Sequence, residues 1–172
     1  MVYQIRYHWT LRPVPHAPPE EYLSELPPLG AVLMRFNHAY HGEFHVPLGE
    51  GELTFLLEDD FVIVFDQLPG WLGRLGDSDG TTAILFGSQG TELLLHATRQ
   101  QQIITIAAES IDPENPLSPT LRAVCVPVTE FLTAWIDFIV AVLDALAAFD
   151  PAISRDEEWQ NYREGIRTIA IR

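Results

Sequence analysis

Residues 81–109 read TTAILFGSQGTELLLHATRQQQIITIAAE. Three runs in this stretch, Thr81 to Phe86, Thr91 to Ala97 and Gln102 to Glu109, are rich in β-branched and aliphatic residues. Asp77-Ser78-Asp79-Gly80 leads in as a turn, and Gly87-Ser88-Gln89-Gly90 has the composition of a hairpin turn. The stretch reads as an antiparallel meander. Beyond it, Ser110 to Pro119 is a loop marked by Pro113, Pro116 and Pro119, and Leu121 to Val126 reads as one more short strand.

The chain then changes period. Thr129 stands where it can cap a helix running to about Phe149. Polar or small residues recur at Glu130, Thr133, Asp137, Ala141, Asp144 and Ala148, and the residues between them are mostly large and apolar. So narrow a polar stripe predicts a helix covered around most of its circumference. Its cover is either a sheet with a second helix beside it or a second copy of the chain. Asp150-Pro151 ends this helix, and an amphipathic segment follows from Ser154 to about Ile169.

Upstream of the meander, Tyr3, Ile5, Tyr7, Trp9 and Leu11 alternate with polar residues in the period of a half-buried strand. Pro13, Pro15, Pro18 and Pro19 stop it, and Glu20 to Leu26 fits a short helical turn closed by Pro27 and Pro28. Ala31 to Phe36, Phe44 to Val46 and Glu52 to Leu57 read as strands, the last two separated by Pro47 and a Gly49-Glu50-Gly51 turn. In Asp59 to Leu75, Phe61, Phe65, Leu68, Trp71, Leu72 and Leu75 fall at helical spacing. The run Phe61-Val62-Ile63-Val64-Phe65 also has strand propensity, but the spacing favours a helix started by Asp59 or Asp60, kinked at Pro69 and ended by Gly76 as its cap.

The expected architecture is α+β in one domain, residues 1–172, with a β-rich part over 1–126 and a helical part over 128–169. Strands do not alternate regularly with helices, which argues against a doubly wound nucleotide fold.

Composition narrows the function. Twenty-four acidic residues against ten basic ones give a formal charge of −14. Such a surface repels nucleic acid and anionic lipid and attracts basic proteins or cations, although net charge also simply keeps a protein soluble. All ten basic residues are arginine. Without lysine there is no Schiff-base chemistry, no pyridoxal phosphate attachment and no P-loop amine. The single cysteine, Cys125, lies between Val124 and Val126 and is expected as a small buried core residue. One cysteine and the absence of a signal-peptide pattern predict a cytoplasmic protein. Asp137 and Asp144 interrupt the apolar run from Phe131 to Phe149, so no membrane span is expected.

Few constellations point to chemistry. On an extended chain, His41, Glu43 and His45 project to one face, and two imidazoles with a carboxylate suit a divalent metal. Asp77-Ser78-Asp79-Gly80 opens like a calcium loop, but Ser88 stands where the twelfth-position glutamate belongs. Gly87-Ser88-Gln89-Gly90 lacks nucleophile-elbow spacing, and Gly70-Trp71-Leu72-Gly73-Arg74-Leu75-Gly76 lacks that of a dinucleotide loop. Asp59-Asp60 and Asp156-Glu157-Glu158 read as acids at helix N-termini. Trp71, Trp159 and Tyr162 are candidate anchors for a partner, although each also suits the core and Trp71 fits the core better.

These readings predict a non-enzymatic acidic interaction protein for a basic protein partner, of the kind seen in immunity proteins and antitoxins. The alternative is a metal-binding protein or metal-dependent enzyme using His41, Glu43 and His45. A homodimer through the final helices is compatible with either.

Overall fold

The computed structural model describes residues 2–14, 17–88, 91–114 and 116–169. It has an α+β architecture with two antiparallel sheets. The first contains β1 (Arg6–Leu11), β2 (Tyr40–Leu48) and β3 (Gly51–Leu56), in that order. The second contains β4 (Gly80–Ser88), β5 (Thr91–Gln100), β6 (Ile103–Ser110) and β7 (Val124–Pro127), also in chain order. The meander expected from the sequence is this second sheet. The tip of its first hairpin, Gln89 and Gly90, lies outside the described residues.

Helices intervene in the part of the chain expected to be β-rich. Between β1 and β2 lie the short α1 (Glu20–Ser24) and α2 (Pro28–Ala39). The strand predicted over Ala31–Phe36 is therefore a helix. Its apolar run is too short for periodicity to separate the two forms. Proline in the first turn starts it, since that position needs no N–H donor. Leu29, Val32, Leu33, Phe36 and Asn37 then form one buried helical stripe.

The helix predicted over Asp59–Leu75 is present but broken. A π turn (Leu57–Phe61), α3 (Val62–Val64), a 3-10 turn (Phe65–Gln67) and α4 (Leu68–Asp77) follow one another. Its start differs from expectation. Leu56 is the capping position, and Asp60 reaches back to accept from the Leu56 N–H at 2.8 Å. Pro69 lies in the first turn of α4, where proline fits without distorting a helix. Gly76 is not the cap, because α4 runs on to Asp77. The Arg99 guanidinium on β5 takes over that role, donating from Nη1 to the carbonyls of Leu75 at 2.7 Å and Gly76 at 2.5 Å.

The long helix α5 (Val128–Phe149) starts one residue before the expected cap Thr129, behind Pro127. Its first N–H is satisfied by the β5–β6 turn instead of a side chain: Val128 N donates to Gln102 O at 2.9 Å. A 3-10 turn (Pro151–Arg155) and α6 (Glu157–Arg167) complete the chain. Asp156 caps α6, its Oδ1 accepting from the N–H groups of Glu158 and Trp159.

One contiguous apolar core joins both sheets and the helices. On α5, Phe131, Trp135 and Phe138 are fully covered. Phe138 lies 4.8 Å from the ring of Phe44 on β2, and Trp135 meets Trp71 of α4 edge-on at 5.3 Å. The helix is long and apolar enough to span a bilayer by length and composition alone. Ten of its residues are instead buried against the rest of the chain, as in the core helix of a globular protein.

Candidate functional site

The register of the first sheet sorts its side chains into two faces. His8 pairs with Glu43, Arg6 with His45 and Thr10 with His41 across β1 and β2, and His45 pairs with Thr54 across β2 and β3. Strand side chains alternate, so these residues share the outer face, while Phe44, Val46 and Phe55 point into the core. The outer face thus gathers three of the chain's six histidines, His8, His41 and His45, around the Glu43 carboxylate.

The structure keeps Glu43 and His45 together as expected but turns His41 to another partner. His41 Nδ1 lies 2.9 Å from Glu58 Oε1 in the π turn, and its Nε2 is 3.4 Å from Glu43 Oε1. The place beside Glu43 and His45 is taken by His8, and the ligand atoms of His8, Glu43 and His45 lie within 4.8 Å of one another. Sequence reasoning missed His8 because it is far along the chain. The available signal was its place on the polar face of the alternating first strand, but pairing register is not written in that alternation.

Glu58 is the hub between this face and a neighbouring cleft. Its Oε1 accepts from Arg12 Nη2 at 2.7 Å, and Arg12 Nε also donates to the carbonyls of Asn37 and Tyr40. The cleft has a volume of about 370 Å³ and lies between α2 and the π turn, lined by Arg12, Met34, Asn37, His38, Glu58, Asp59 and Val62. Asn37, buried, donates from Nδ2 to the carbonyl of Leu57 at 3.3 Å and so supports the turn. Such wide helical turns recur at functional sites.

The His41–Glu58 contact shifts both groups. The hydrogen bond to Glu58 raises the His41 pKa above its ordinary 6.5; burial opposes this, and the charges of Glu58 and Glu43 add to it. Burial alone would raise Glu58, but hydrogen bonds from His41 and from backbone N–H groups outweigh it and hold the carboxyl below its ordinary 4.5. The stabilisation carried by His41 is complete below pH 6.5 and is lost as pH rises through its raised pKa. The part carried by Glu58 is complete above pH 4.5 and is lost as pH falls through its lowered pKa. The pair is therefore strongest between these limits. Titration of the imidazole by NMR is expected to place His41 above its ordinary value in the native protein and to return it toward that value in Glu58→Gln. An unchanged His41 titration in the variant would refute the coupling.

Two of the three expected partner anchors are internal. Trp71 is 1% exposed and Trp159 is 7% exposed, each within the core. Tyr162 stacks on Phe65 at 4.2 Å and donates from its hydroxyl to the Phe65 carbonyl at 2.7 Å. The 3-10 break supplies that acceptor, and α6 turns this stripe inward. Trp71 and Trp159 therefore belong to the core, while Tyr162 is half-buried at its edge. Cys125 departs from expectation in the opposite sense. It is exposed, because β7 alternates and turns Val126 inward. Apolar neighbours alone concealed that period. Comparison of the chain with protein-family models, with curated proteins and with solved structures finds no match to any of them.

Proposed function

We propose that this protein is a non-enzymatic binding module for a basic protein partner, and that the cleft between α2 and the π turn is where it grips that partner. One observation carries the reading. Val62 and Ile63 are exposed at 37% and 43%, and they stand on the helical stretch between Asp59 and Asp66, with Val62 and Asp59 lining the cleft. Exposed apolar side chains framed by carboxylates suit an arginine or lysine, whose aliphatic stem packs while its charge pairs. Arg12 does not spoil the fit, because its charge is met by Glu58. The overall charge of −14 would speed encounter with such a partner.

An immunity- or antitoxin-type neutraliser of a basic toxin is one form this function takes, and the lone cysteine suits a cytoplasmic setting. The test is capture of a basic protein from host lysate at low and at high salt. A partner released by salt, and bound at least tenfold more weakly by Asp59→Lys than by the control Glu92→Lys, is the expected result. Equal binding by the two variants, or binding indifferent to salt, overturns the reading.

A further inference from the structure

We propose that His8, Glu43 and His45 form a binding site for a divalent transition metal of the zinc class on the outer face of the three-stranded sheet. His8 Nε2 and His45 Nε2 lie 4.0 and 3.8 Å from Glu43 Oε2. The two imidazole rings are nearly parallel, with centroids 6.0 Å apart. A zinc ion with bonds of about 2.1 Å needs donor atoms roughly 3.3 Å apart. Side-chain rotation within the existing strands is enough to close the difference.

The surroundings favour a built site over a chance meeting of surface groups. A metal-binding histidine works best when its other nitrogen is held. His45 meets this condition: its Nδ1 is 3.0 Å from Thr54 Oγ1 and 3.5 Å from Glu52 Oε1, which leaves Nε2 directed at Glu43. Glu43 is held in turn, its Oε1 facing His41 Nε2 at 3.4 Å, and His41 is anchored on Glu58. The carboxylate that would bind the ion is therefore positioned by a histidine that is itself positioned by a carboxylate. Arg6 is the nearest competing cation by register, and it is paired with Glu52.

Two imidazoles and one carboxylate select zinc, nickel, cobalt or iron over magnesium and calcium, which prefer oxygen donors alone. The outer face is open to solvent, so positions remain for water or a further ligand. The site differs from the set read on one strand, since it spans β1 and β2 and gives His41 a positioning role.

Calorimetric titration of the chelator-stripped full chain with zinc chloride tests the assignment, with magnesium chloride as the contrast. The expected result is one equivalent of zinc and no magnesium. His8→Ala, His45→Ala and Glu43→Gln should each weaken zinc binding at least tenfold, His41→Gln by less, and His96→Ala not at all. Zinc should also raise the melting temperature of the parent chain and leave that of His8→Ala unmoved, which reads the site without relying on one variant's affinity. Should His8→Ala not fold, His8→Gln serves in both measurements. Absence of stoichiometric zinc, or zinc binding insensitive to loss of the His8 imidazole, overturns the proposal.

Discussion

Replacing Phe44 by alanine is expected to destabilise the protein by about 3–5 kcal/mol, the cost of deleting a fully buried aromatic ring and leaving a cavity. Phe44 has 0% exposure and sits where the layers meet. Its ring lies 5.0 Å from Phe55 on β3, 6.0 Å from Phe61 in the π turn and 6.3 Å from Phe86 on β4. On the other side it meets Trp135 at 6.5 Å and Phe138 at 4.8 Å on α5. No single neighbour can collapse into the space without leaving another contact, which is why a cost near the upper end is expected. Denaturant titration of parent and variant measures it. A loss below about 1 kcal/mol would mean that the core relaxes around the gap and that Phe44 is not the junction between the layers.

Gly49→Ala is expected to cost about 2–4 kcal/mol, from two additive causes. The residue has φ of +62° in the two-residue turn between β2 and β3, a conformation that penalises any side chain. A Cβ there would also lie 2.9 Å from Arg122 N and 2.9 Å from Thr120 O, both backbone atoms of the segment packed over the turn. Backbone cannot rotate away as a side-chain tip can. Gly73→Ala in α4 is the control, because a Cβ there meets nothing within 4 Å. Its expected effect is a gain of about 0.5–1 kcal/mol from the better helix former. Equal effects at the two positions in denaturant titration would contradict the account of Gly49.

The candidate site was legible only in part. His41, Glu43 and His45 alternate on one strand, and alternation alone places them on one face. It does not say which strand lies beside them. His8 joins Glu43 and His45 through the β1–β2 register, and Glu58 captures His41 from the turn that follows β3. The aromatic residues of the last helix show the same dependence on what packs beside them. Trp159 and Tyr162 look the same in sequence whether their helix faces water or, as here, the core.

For the fold, local signals were strongest where period and punctuation agreed. The runs and turns of residues 81–109 determined three of the four strands of the second sheet, and the almost wholly apolar helix ending at Asp150-Pro151 had to be covered on most sides. Charge and the lack of lysine were likewise settled by composition. Short apolar runs were not. Residues 31–36 became helix because α2 could bury one stripe against α5 and α6 while Glu158 accepted from the Leu29 N–H at its start. Periodicity states which side of an element is apolar. Only packing decides what that side meets, since burial energy depends on area covered and not on the neighbour's position in the chain.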